Sequence, residues 1–284
     1  MERAMNLATQ ELATLRPGLD RAREKLFLAS KRQSTREEDI AYSLLGIFNA
    51  SIPVIYGEGN RAVGRLLEYV LTASGDVTIL AWTGHAGDYN SCLPPDLTVY
   101  GQLVPPHIPQ PIEAAKMDGI MMALRSSLPD PSLAMALHDH LHKLPSPSFS
   151  ASRLGLPGIV FPVTQLDTMG SDSDIYRATT SALKEVEIKT KDDLSGMMDL
   201  LFVHPWISPI LDQEFTRAAT LDQTTRALQL VARLRQPFGA LLLEPVSRTR
   251  YRRVAADCLI MAQVREETPL TELIDGIRVK VDVQ

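Results

Sequence analysis

The chain of 284 residues is short of several things, and each shortage excludes a class of protein. It has two cysteines, Cys92 and Cys258, so it cannot be a disulfide-stapled scaffold, and their spacing fits no zinc-type cluster. With no secretory leader pattern, they read as two reduced thiols. Aromatic residues make up 6% of the chain, with Trp82 and Trp206 the only tryptophans. No apolar run approaches the roughly 20 residues that span a bilayer. The opening MERAMNLATQEL carries charges and lacks a signal-peptide hydrophobic stretch. Basic residues are not in excess: 29 Lys and Arg against 34 Asp and Glu give a formal charge of -5, so no positive field favours nucleic acid. A cytoplasmic location is the default expectation.

What remains is the composition of a globular protein. A hydrophobic fraction of 45% with 22% charged residues argues against disorder. The length suffices for one large or two modest domains, with a boundary placed near Leu144. There Pro145, Pro147 and several serines form a linker-like passage, so the expected division is 1–144, mainly helical, and 145–284, strand-rich.

The most strongly patterned stretch is 35–69, TREEDIAYSLLGIFNASIPVIYGEGNRAVGRLLEY. Thr35 and Glu38 have capping-box spacing, and Glu37, Glu38 and Asp39 suit the positive end of a helix dipole. Ile40, Ala41, Leu44, Leu45, Ile47 and Phe48 then make a wide apolar stripe at helical spacing. Pro53 ends that helix and biases Ile52 toward extended backbone. Gly57 and Gly59 bracket Glu58 and open a second helix, whose apolar face is Ala62, Val63, Leu66, Leu67, Val70 and Leu71. The expectation is a helix-turn-helix hairpin. Backbone N–H groups at a glycine-rich helix start offer an anion site. The GEGN run, however, lacks the Gly-Lys-Ser/Thr ending of a phosphate loop, and the preferred reading is that the glycines permit tight backbone angles.

The residues EDIAYSLLGIF, IPVIYGEG and RLLE within 36–68 resemble the segment that follows the HET (heterokaryon incompatibility) domain in fungal proteins. The resemblance implies a role in non-self recognition and programmed cell death. It also implies that Tyr42, Tyr56, Gly57, Glu58, Gly59 and Arg65 are motif positions, structural or binding. Such proteins normally begin with the HET domain, which carries Ser-Tyr-x-Trp-Gly and Trp-Ile-Asp motifs. Trp82 and Trp206 lie in neither, so the HET domain is expected to be missing and no catalytic residue is carried over. The resulting expectation is a non-enzymatic interaction module without cofactor. Its expected partner is a protein, with a HET-domain protein as the candidate.

Elsewhere, 19–30 reads as a basic amphipathic helix with Ala22, Leu26, Phe27 and Ala29 on its apolar side, packing on its own domain in preference to a membrane. Residues 77–82 have the look of a short buried strand, and 103–110 of a proline-rich surface connection. Two more helices are expected over 112–125 and 133–144. The second carries His138, His140 and His142, a metal-binding alternative at i, i+4 spacing that lacks an obvious third ligand. Strands are expected at 159–163, 175–180, 186–189, 200–204, 227–234, 240–244, 251–255, 258–264 and 278–284, with a short helix from Thr268 through Ile274. Pro162 requires an edge or a bulge. The fold class is therefore α+β, helices first and then a mostly antiparallel sheet. A Cys258 with His204 pairing is a conceivable nucleophilic site beside Asp257, against the simpler reading of a buried small hydrophobe. Arg248, Arg250, Arg252 and Arg253 beside Tyr251 are read as a solvated strand face with cross-strand partners, in preference to a phosphate or acidic-partner contact.

Overall fold

The computed structural model describes residues 16–32, 34–101, 114–127, 130–169, 174–206 and 222–284. The helices are α1 (Ala22–Ala29), α2 (Glu37–Tyr42), α3 (Leu45–Phe48), α4 (Arg61–Ser74), α5 (Ala114–Ser127), α6 (Ser132–His142), α7 (Gln223–Leu234) and α8 (Leu270–Gly276). The strands are β1 (Ser148–Ser150), β2 (Arg153–Thr168), β3 (Ile175–Thr180), β4 (Val186–Lys189), β5 (Leu201–Pro205), β6 (Phe238–Ser247), β7 (Arg250–Arg253), β8 (Ile260–Ala262) and β9 (Ile277–Val283). The fold is α+β, with helices dominating the first half and a mostly antiparallel sheet the second. No described helix is long and apolar enough to cross a membrane.

The sheet runs in the order β4-β3-β2-β5-β6-β7-β9, and β9 pairs back onto β2. Strands β2, β5, β6, β7 and β9 thus form a ring of pairings. A ring with an odd number of strands cannot alternate direction throughout, and the β7–β9 pair is the parallel one. Both prolines of β2 sit where the ladders can spare an N–H. Pro157 falls at the register shift of the β2–β9 ladder, and Pro162 lies beyond the last β9 pair, next to the register shift at Val163 in the β2–β3 ladder.

Alternation along these strands feeds two cores. Ile159, Phe161, Phe202 and Leu242 join one core with α6, α7 and α8. Their neighbours Val160, Val203, Leu241 and Leu243, with Leu154, Leu156, Val281 and Val283, join a second core built on α1 to α4. Each face of the sheet therefore buries a different helical layer, which is the packing a sheet apolar on both faces demands.

Several sequence expectations are corrected. Residues 77–80 form a 3-10 helix (Val77–Leu80) and not a strand, because Asp76 caps it by accepting the Thr78 N–H at 3.0 Å. Residues 227–234 are helical. Asp222 accepts the Thr225 N–H at 2.9 Å as the N-cap, and buried Ala227, Leu228, Leu230, Val231 and Leu234 follow a 3.6-residue period that a short apolar run conceals. Thr35 does not cap α2: the N-cap position is Arg36, without a side-chain cap, and the first hairpin helix breaks into α2 and α3 around Ser43 and Leu44. The basic helix α1 packs on the protein, as expected, through Ala22, Leu26 and Ala29. Arg23 and Lys25 turn inward, donating to the carbonyls of Thr78 at 3.0 Å and Gly18 at 2.7 Å. The proline-rich stretch 103–110 and the first two residues of the 112–125 helix lie outside the described residues.

Candidate functional site

The hairpin turn joins α3 to α4, and side chains of α2 and α4 hold it. From Ala50 to Ile55 the chain runs without helix, turn or bend, and then reverses at Tyr56 and Gly57 to enter α4. Gly57 has φ of 92° and Gly59 of 58°, a left-handed backbone that an L side chain adopts at a cost.

Three side chains grip the backbone of this segment, and Glu58 of the turn ties two of them together. The Tyr42 hydroxyl accepts the Ile55 N–H at 2.7 Å, donates to Glu58 Oε1 at 2.6 Å, and stands 2.8 Å from the Ile55 carbonyl. Arg65 donates through Nη1 to Glu58 Oε1 at 2.7 Å and through Nη2 to the Pro53 carbonyl at 2.8 Å. Glu38 reaches across the turn and accepts the Gly57 N–H at 2.9 Å. The anion that fits the glycine-rich turn is thus a carboxylate of the chain itself, and the capping-box role assigned to Glu38 gives way to this crossing bond. Donation by the Gly57 N–H, the leading cause, holds the Glu38 carboxyl below its ordinary range. Burial, followed by the Glu58 bond, pushes the Tyr42 phenol up.

The clamp presents apolar groups to water. Val54, Ile55 and Tyr56 are 52%, 49% and 59% exposed, contiguous, and held above Glu58 and Arg65, whose side chains are 11% and 18% exposed. Arg36 lies over the Tyr56 ring at 5.1 Å, and the Tyr42 and Tyr56 rings meet edge to face at 6.0 Å. Tyr42, Tyr56, Gly57, Glu58, Gly59 and Arg65 therefore come together in one turn. Glu38 and Arg36 complete it. Their signal in the sequence is the charged run Arg36-Glu37-Glu38-Asp39 at the N-cap and first turn of α2.

The other candidate groups do not assemble into a site. His204 has its Nδ1 3.0 Å from the Pro205 carbonyl and its ring 4.0 Å from that of Phe238, while Cys258 is exposed. Burial pushes His204 down to about 4, so the imidazole is neutral and engaged in packing. Cys92 is the buried cysteine, and burial pushes its thiol up to about 11. The His138 and His142 rings stack at 4.7 Å, and His140 Nδ1 is 2.7 Å from the Ala136 carbonyl. Among the described residues no group of three or more His, Cys, Asp or Glu side chains could hold a metal. The arginine cluster divides by strand alternation. Arg252 pairs across strands with Glu244 at 2.6 Å, while Arg253 turns inward, 4.0 Å over the Trp82 ring, and donates to the carbonyls of Leu80 at 2.9 Å and Trp82 at 2.6 Å.

No protein-family model and no solved structure matches the chain. Among curated proteins, the vegetative incompatibility protein HET-E-1 of Podospora anserina is 48% identical over 48 residues, 16% of this chain and 4% of that protein. The chain thus covers a small fraction of that relative's length. The similarity connects the chain in part with heterokaryon-incompatibility proteins, without fixing which segment of such a protein it corresponds to.

Proposed function

We propose that the chain is a non-enzymatic interaction or regulatory module of the heterokaryon-incompatibility type, acting in non-self recognition and programmed cell death. In this reading the tongue at 52–56 is the docking surface and a HET-domain protein is the partner. The observation that carries it is the pairing of opposites in the turn. Hydrogen-bonding side chains are sequestered beneath a backbone whose apolar side chains, Val54, Ile55 and Tyr56, are left in water. A turn needed only for chain reversal gains nothing from that arrangement, whereas a preorganised apolar anchor lowers the entropy lost on docking. The partial similarity to HET-E-1 supports the choice of partner class.

The test is binding of the whole chain to a purified fungal HET domain by biolayer interferometry. Wild type is compared with Ile55→Ser/Tyr56→Ser, which alters only the exposed anchors, and with the core variant Leu44→Asp/Leu67→Asp. Loss of at least about ten-fold in affinity with the surface variant, at unchanged circular dichroism, is the expected result. Absence of binding by folded wild type, or equal binding by the surface variant, overturns the proposal.

A further inference from the structure

The clamp bonds only one edge of the tongue. Hydrogen bonds go to the carbonyl of Pro53 and to both the N–H and the carbonyl of Ile55. In extended backbone the N–H and C=O of one residue point to the same side, and alternate residues to opposite sides. That both groups of Ile55 meet one hydroxyl, with the carbonyl of the residue two before it on Arg65, is the pattern of a strand edge satisfied by side chains. Pro53, which has no N–H, belongs to that satisfied edge, where its missing donor costs nothing. The opposite edge belongs to Ile52, Val54 and Tyr56, and no described residue hydrogen-bonds to the backbone of these three.

We propose that this open edge pairs with the same edge of a second copy, antiparallel about a two-fold axis through Val54. The sequence Ile52-Pro53-Val54-Ile55-Tyr56 is self-complementary in that register. Val54 faces Val54 of the second copy, Ile52 faces its Tyr56, and Pro53 faces its Ile55. Every cross-strand pair is apolar and no charge meets its like. The residues with open backbone groups, Ile52, Val54 and Tyr56, are the ones that become hydrogen-bonded pairs, while Pro53 and Ile55 fall in the pairs that make no bond. An isologous two-fold contact requires this kind of self-matching surface. It also closes an edge that would otherwise template open-ended association. The proposal rests on reading the tongue as an interaction surface, and a second copy and a HET domain compete for the same edge.

Sedimentation equilibrium of the full chain over a concentration series tests it. Wild type should rise from the 31.4 kDa monomer toward twice that mass, with a midpoint below about 100 µM. Val54→Lys, which sets two ammonium groups against each other at the axis, and Val54→Pro, which deletes the central N–H, should each raise the midpoint at least ten-fold. Salt at about 0.5 M should restore part of the Val54→Lys dimer and change wild type far less, because the paired residues 52–56 themselves carry no charge. A covalent check uses Val54→Cys with Cys258→Ser. Hydrogen-bonded antiparallel pairs hold their Cα atoms about 5.5 Å apart, within disulfide reach, so oxidation should give a linked dimer that Met198→Cys does not give. Wild type that stays monomeric to about 200 µM, or a dimer indifferent to both Val54 variants, refutes the pairing. A monomer that still binds the HET domain would remove this inference and leave the proposed function standing, and a dimer that does not bind it even when diluted to monomer would do the reverse.

Discussion

Replacing Arg65 by Leu offers the sharpest energetic test of the clamp. Its guanidinium bridges Glu58 at 2.7 Å and the Pro53 carbonyl at 2.8 Å, and both partners of the ion pair are largely enclosed. Removing it strands the Glu58 carboxylate with the Tyr42 hydroxyl as its remaining bond among the described residues, which costs about 3 kcal/mol for a mostly buried charge. For a chain of this size that is about 6–12 °C in Tm. Glu58→Gln alone keeps a neutral acceptor and costs less, about 1–2 kcal/mol. The pair is therefore strongly non-additive: the double variant should recover about 2 kcal/mol of the summed losses, measured by urea denaturation of all four proteins. Because the same bonds hold the tongue, Arg65→Leu should also weaken HET-domain binding. Additivity within about 0.5 kcal/mol would refute the clamp, since independent sites add to that accuracy.

Three further outcomes follow from the packing. A Cβ on Gly64 would run into the Cβ and Cγ of Tyr89, whose hydroxyl bonds Glu68 one turn further along α4. Gly64→Ala should thus lower stability by about 1–3 kcal/mol in a thermal melt despite the better helix propensity of alanine. His204 titrates at about 4 in the fold against 6.5 when free, so between those values the unfolded chain binds the extra proton and stability falls as pH falls. The unfolding free energy of wild type from urea titrations should fall through that window with a pH slope steeper than that of His204→Gln by up to one proton, and equal slopes would deny the burial of His204. Of the two thiols, exposed Cys258 should react with a chromogenic disulfide in the native protein, and Cys92, buried with its pKa raised, only on denaturation.

The limits of the sequence are physical ones. The apolar faces of the hairpin are legible because period and punctuation agree there, and strands β3 and β4 because short runs rich in β-branched residues lie between turns. Helix α7 was misread because its apolar residues are crowded enough to pass for a buried strand, while its cap, Asp222, lies five residues before the run. Glu38 illustrates a different limit. Its position suits a local cap, and only the approach of the turn from across the hairpin reveals a stronger claim on the same carboxylate. Likewise Arg252 and Arg253 are adjacent and chemically alike, yet strand alternation sends one to Glu244 at the surface and the other onto Trp82, a residue 171 positions away. The closure of β9 onto β2 has no sequence signature at all, since a strand's second edge is chosen by the whole fold.

The central claim, that the clamped tongue is the docking surface, is tested most directly by amide hydrogen exchange of the dilute chain with and without a HET domain. New protection is expected at Ile52, Val54 and Tyr56, whose amides have no hydrogen-bond acceptor among the described residues, while Ile55 and Gly57 are already slowed in the free protein by Tyr42 and Glu38. Protection confined to other parts of the chain, with 52–56 exchanging as freely in the complex as alone, would contradict it.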